Sequence, residues 1–119
     1  MISSQIKQSY FASLERHKKA FELMDGYHDS VLALLEACNK SLQSGGKVIW
    51  MGNGGSAADA QHLAAEFMVR YKNERGPLAS IALTTDTSIL TAHSHDYHFD
   101  TVFELQDKRL CKPESLVIV

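Results

Sequence analysis

Apolar residues recur at helical spacing over the first 45 positions. Ile6, Tyr10, Phe11, Leu14 and Phe21 fall on one side of a 3.6-residue wheel, with Ser3 or Ser4 placed to cap the helix they predict. Gly26 is expected to break it. Asp29 opens a second helix, whose stripe is Val31, Leu34, Leu35, Cys38 and Leu42, and Ser44-Gly45-Gly46 stops it. The period then changes. Val48, Ile49, Trp50 and Met51 form an unbroken apolar run, the pattern of a strand buried on both faces of a parallel sheet. Helical spacing returns with Ala60, Leu63, Ala64, Phe67 and Tyr71, and Arg75-Gly76-Pro77 marks a turn. Residues 80–84 predict a second buried strand. Thr85, Asp86, Thr87 and Ser88 offer N-caps for a short helix over 89–92. A further helix from about Asp100 places Phe99, Val102, Phe103, Gln106 and Leu110 on one face. Lys112-Pro113-Glu114 turns the chain, and residues 116–119 begin a third strand.

The order β-α-β-α-β predicts an α/β fold: a parallel sheet with right-handed crossovers and flanking helices. The expected organisation is one domain over residues 1–119, with N-terminal helices over 1–45 and the β-α-β-α-β core over 46–119. Two amphipathic helices before the first strand exceed what one sheet face needs. The first either covers its own sheet or serves as an arm that packs on a neighbouring subunit.

Composition narrows the class. The chain has 119 residues, 45% of them apolar, enough for a core in one small domain. A formal charge of −2 without a basic cluster leaves no footprint for nucleic acid. No apolar run approaches the ~18 residues of a membrane helix, and the first residues lack the apolar centre of a signal peptide. Cys38 and Cys111 have no CxxC spacing, and Cys38 lies on a helical stripe as a reduced core thiol. The expected compartment is the cytoplasm.

The candidate chemistry lies where the first strand ends. Gly52-Asn53-Gly54-Gly55-Ser56 joins the apolar run to a helix. Three glycines in four positions allow a tight turn and close approach of backbone to a ligand. With Ser56 as the N-cap, the loop forms a phosphate cradle at a helix N-terminus. It is neither a Walker loop nor GxGxxG, since Ser56 and Ala57 follow Gly55. A simpler reading is a capping box, in which Asp59 reaches back to the N–H of Ser56. Farther along the helix, His62 and Glu66 stand four residues apart on one face, about 100° off the apolar stripe. They are either a solvated pair or two groups that meet at one ligand. Thr85 and Asp86 lie at the second strand-to-helix junction, where sugar hydroxyls could be bound, although simple capping accounts for them.

Residues 46–106 resemble the phosphoheptose isomerases of the sugar-isomerase (SIS) domain family. The matching text is GNGGSAADAQHLAAEF, then RYKNERGPLASIALTTDTSILTA, then Asp96-Tyr97. The resemblance implies a nucleotide-binding-like three-layer fold, a phosphosugar ligand and an aldose–ketose isomerase, assembled as a homotetramer. It implies substrate contacts from Asn53, Gly54 and Gly55, with Ser56 close to the phosphate. His62 and Glu66 would be zinc ligands, and Glu66 also the catalytic base. The implied reaction converts sedoheptulose 7-phosphate to D-glycero-D-manno-heptose 7-phosphate through an enediol, for the heptose of surface polysaccharide such as lipopolysaccharide.

The stretch His93-Ser94-His95-Asp96-Tyr97-His98 departs from that family, which usually has an aliphatic residue at 93, asparagine at 95 and glycine at 98. His95 replaces a substrate-binding amide and still offers one hydrogen bond, and Asp96 is kept. The stretch is one residue out of register with the HxHxDH signature of binuclear metallohydrolases. Zinc takes four ligands, or three and a water, and only His62 and Glu66 are supplied here. The resemblance implies that the remaining ligands and a second, serine-rich phosphate loop lie beyond Val119. The 119-residue chain alone is therefore expected to be an incomplete N-terminal portion, inactive and weak in zinc binding. The rival reading is a non-catalytic relative on the same fold, a phosphosugar-binding or replication-initiation partner protein. Retention of both the double glycine and the histidine–glutamate pair favours the enzyme.

Overall fold

The computed structural model describes residues 2–119, with side chains from residue 3. These fall into two compact units, divided between Leu35 and Glu36. The first unit is helical. α1 covers Ile2–Glu22, a 3-10 turn covers Leu23–Tyr27, and α2 (His28–Gln43) begins at once and runs across the division. Gly26 does interrupt the α-helical path, as expected, though only by a tightened turn. It sits inside the 3-10 turn, and the residues on either side, Glu22 and His28, both keep right-handed helical backbone. Ser3 and Ser4 lie inside the first turn of α1 rather than ahead of it. Along this unit the apolar stripe is exposed, including Tyr10, Phe11, Phe21 and Leu35.

The second unit holds the sheet. Strands β1 (Val48–Trp50), β2 (Ser80–Ala82) and β3 (Leu116–Ile118) are all parallel in the order β2-β1-β3. The central strand is the one that reads as uninterrupted apolar sequence, and all three of its residues are buried. Each strand is a residue or two shorter than its apolar run, because the ladder ends where the glycine loop and the β2 turn leave the sheet. Val48 and Trp50 join Cys38 of α2, Ala60 and Ala64 of α3 (Gly55–Met68) and Ala82 in one cluster. Small residues on α3 let the helix lie close to the sheet. Ile49 points to the other face by alternation and is also fully buried, so both sides of β1 are covered. The indole N–H of Trp50 donates to Ser80 Oγ at 2.9 Å, and Ser80 donates to Val48 C=O at 3.1 Å, which leaves no polar atom of this buried pair stranded.

Residues 80–84 were expected to be buried on both faces. Ile81 is instead 38% exposed, β2 being one of the sheet's two edge strands in this chain. The helix expected over 89–92 is longer, with α4 covering Thr87–Asp96, and it takes in His93 and His95. After a 3-10 turn at Phe99–Thr101, α5 spans Val102–Leu110. Its Gln106 is buried and donates to Leu83 C=O at 3.0 Å, tying α5 to the end of β2. Phe99, expected on the covered face, is exposed. Among the described residues no helix is long and apolar enough to cross a membrane.

Candidate functional site

β1 delivers the chain to the glycine loop at the carboxyl edge of the sheet. The three glycines of the loop differ in what requires them. A Cβ on Gly52 would stand 2.7 Å from Ser56 Cβ, so the loop and the start of α3 are in direct contact there. Gly54 has φ +58, a left-handed conformation that a side chain resists. At Gly55 an added Cβ would meet nothing within 4 Å. Nothing in this chain's own packing demands glycine at 55, and the space beside it is open to a ligand. Asn53, Gly54, Gly55 and Ser56 are all exposed.

Neither capping expectation for this loop holds. The N-cap of α3 is Gly54, no side chain caps it, and Ser56 lies within the first turn. The Ser56 N–H donates to Asn53 C=O at 3.0 Å instead of receiving the Asp59 carboxylate. Left-handed Gly54 makes the turn earlier than a serine cap would, and this moves the helix start back by two residues. Ser56 and Asp59 are thereby free of capping duty. Both line a cavity of about 180 Å³ with Trp50, Leu63 and Ile118. Asp59 was read as a capping group. Its spacing from Leu63 and Glu66, four and seven residues, is the signal that places it on a shared helix face.

Leu63 also lines a second cavity, of about 270 Å³, with Glu66, Phe67, Tyr71, Arg75 and Leu78. Ser56, Asp59, Leu63 and Glu66 therefore run along one side of α3, over about 15 Å at 1.5 Å per residue. Here the two readings of His62 and Glu66 divide. The His62 side chain is 76% exposed, Glu66 only 29%, and Nε2 lies 3.3 Å from Oε1. Glu66 Oε2 is buried with no hydrogen-bond partner. A merely solvated pair would have both carboxylate oxygens in water. A buried carboxylate oxygen on the wall of a cavity is costly to leave unpaired, and His93 Nδ1 and Asp107 Oδ1 share that state elsewhere in the chain.

The residues at 93–98 separate. His93 is buried and its Nε2 lies 2.8 Å from Thr101 Oγ1, while its ring stacks on Tyr97. Since Thr101 donates its hydroxyl to His98 C=O, the ring N–H at Nε2 is the donor to Thr101. His95 Nδ1 pairs with Asp96 Oδ1 at 2.8 Å, and both are exposed at the far end of α4. This chain does not join them to the glycine loop or to Glu66. Asp86 caps α4, accepting from the Ile89 N–H at 3.0 Å, and Thr85 donates to Ala82 C=O. Among the described residues no three His, Cys, Asp or Glu side chains gather as a metal site.

A family model described as a SIS domain matches residues 9–119. The phosphoheptose isomerase of Aquifex aeolicus (strain VF5) is 47% identical over 113 residues, covering 88% of this chain and 59% of that protein. That of Syntrophotalea carbinolica is 52% identical, covering 93% and 56%, and that of Campylobacter concisus 48%, covering 99% and 60%. Among solved structures, phosphoheptose isomerase GmhA from Neisseria gonorrhoeae superposes with a TM-score of 0.80 at 37% identity, covering 98% of this chain and 59% of that one. The chain thus spans somewhat over half the length of these relatives.

Proposed function

This chain belongs to the SIS domain family, and we propose that the full-length protein is a cytoplasmic aldose–ketose isomerase. Its reaction would convert sedoheptulose 7-phosphate to D-glycero-D-manno-heptose 7-phosphate through an enediol. The observation that carries this reading is the buried, unpartnered Oε2 of Glu66 on the wall of the larger cavity. Moving a carbonyl from C2 to C1 requires a base that lifts a proton from one carbon and returns it to the other. A carboxylate oxygen without a competing hydrogen bond suits that task. Phosphoheptose isomerase relatives support a phosphosugar as the substrate class.

The remaining residues take their roles from distance along α3. The loop 53–56 would hold the phosphate with backbone N–H groups, aided by the helix N-terminus. Remote binding energy there would position the reacting carbons near Glu66. His62 and Glu66 would hold zinc with one nitrogen and one oxygen donor, a set this metal accepts, and Oε1, 3.3 Å from Nε2, is the oxygen on the histidine's side. Bound zinc supplies Lewis-acid polarisation of the substrate's oxygens. The rest of its ligands belong to other parts of the full-length protein in this reading. His95 and Asp96 are proposed as sugar contacts on the family resemblance alone. A homotetramer is proposed as the working assembly, supported by the exposed apolar stripe of the first unit.

Glu66→Gln in the full-length protein keeps the shape and removes the base. Turnover of sedoheptulose 7-phosphate should fall roughly 10²–10⁴-fold with an unchanged circular dichroism spectrum. Near-normal turnover in the folded variant would refute the assignment.

A further inference from the structure

The larger cavity has one cation on its wall, and its hydrogen bonds go to backbone. Arg75 Nη2 donates to Glu66 C=O at 2.6 Å, and Nη1 donates to Phe67 C=O at 2.8 Å and to Gly76 C=O at 2.9 Å. Glu66 and Phe67 are two of the last four residues of α3, whose carbonyls have no partner within the helix. The Leu78 N–H adds a second bond to Phe67 C=O at 3.1 Å. A planar guanidinium bridges adjacent carbonyls as a single rigid fork, and positive charge at a helix C-terminus is favoured by the dipole. No ion pair joins Arg75 to the Glu66 carboxylate, although both line the same cavity. The guanidinium holds the backbone of Glu66 and leaves its Oε2 unengaged.

We propose that Arg75 is the positioning residue for Glu66, locking the last turn of α3 so that the carboxylate is held at the cavity wall without being neutralised. This rests on the reading of Glu66 as the base. An ordinary C-terminal cap would support the fold alone. A positioning residue acts through Glu66 on turnover, and the two roles separate experimentally.

The test is a double-mutant cycle in the full-length protein with sedoheptulose 7-phosphate as substrate. Arg75→Ala should lower kcat roughly 10²-fold with KM nearly unchanged, since a displacement on the order of 1 Å at a reacting group costs about that much. In the Glu66→Gln background the same substitution should cost almost nothing further, because the group it positions is already disabled. Low millimolar guanidinium chloride should restore part of the lost kcat in Arg75→Ala. The Leu78 amide should exchange faster with solvent in that variant. Arg75→Lys offers a point charge in place of a fork and should recover less than half of the loss on a logarithmic scale. A lowered Tm with unchanged kcat, or additive losses in the double variant, would overturn the proposal and leave Arg75 a cap. Full turnover in Glu66→Gln alone would overturn the base assignment, a separate result that removes what Arg75 is said to position.

Discussion

Gly52, Gly54 and Gly55 are alike in sequence, and their surroundings predict different consequences of substitution. Gly52→Ala forces a Cβ against Ser56 at 2.7 Å, so it should unfold at lower temperature, by an amount typical of overpacking, about 1–3 kcal/mol. The Cβ of Gly55→Val meets no atom of the chain within 4 Å, so the substitution should leave the melting temperature within about 2 °C, given the small effects usual at such sites. If the loop holds the phosphate, the valine variant should bind a ketose phosphate at least about tenfold more weakly, a change of about 1.4 kcal/mol. Calorimetry that finds equal affinity would make the loop a turn and nothing more. Cys38 gives a pH prediction at the same scale. Burial pushes its thiol above the usual range, with a smaller opposing effect from a backbone hydrogen bond. A raised folded-state value means that the stability it contributes is complete below the ordinary thiol pKa and is lost as pH rises toward the folded one. Cys38→Ala should therefore show a shallower fall of Tm at alkaline pH than the parent protein, and an identical slope would mean that the thiol is not protected.

Elements were legible in this chain where one period dominated, and ends were misread where side-chain chemistry and backbone geometry competed. The unbroken run at 48–51 identified the central strand because burial on both faces leaves no alternation to confuse the pattern. The edge strand β2 read the same way, and Ile81 proved half-open, since one sequence cannot show which strand has a neighbour on each side. His93-Ser94-His95-Asp96 fell outside the expected helix because polar residues crowd there, yet they complete α4, where His93 is buried with its Nε2 on Thr101 and its ring on Tyr97, while its Nδ1 has no partner. The face of α3 that carries the candidate site was half visible. His62 and Glu66 stood out by their spacing, while Asp59 was hidden by the capping box it imitates. Asp86 was read correctly as a cap. Asp86→Ala should destabilise the protein by about 0.5–2 kcal/mol, the usual worth of such a cap, measured by denaturant melts with an unchanged m-value. A change under a few tenths would mean that the turn at 85–88 is held by other bonds.

At the scale of the molecule, the buried cluster lies wholly in the second unit, and the described residues of the first bury none of their apolar side chains. The buried cluster draws on residues 38–82, whereas residues 3–35 contribute none of it and display Tyr10, Phe11, Leu14 and Phe21 at helical spacing. Most helical stability in proteins comes from packing of an apolar face, so α1 gains little from its own propensity. A stripe of that size on one helix face is the kind of surface that a second copy of the chain would bury. In the tetramer proposed here, the stripe takes part in assembly and the sheet does not depend on it. Phe11→Glu with Leu14→Glu, in the full-length protein, places two charges in that stripe on neighbouring turns of α1. Light scattering at fixed concentration should show a smaller assembly. The second unit should still melt cooperatively, because its cluster is untouched. Charge burial at an interface costs several kcal/mol per group, so dissociation should be complete at micromolar protein. An assembly of unchanged mass would place the interface elsewhere and leave the stripe to cover another surface of the same chain.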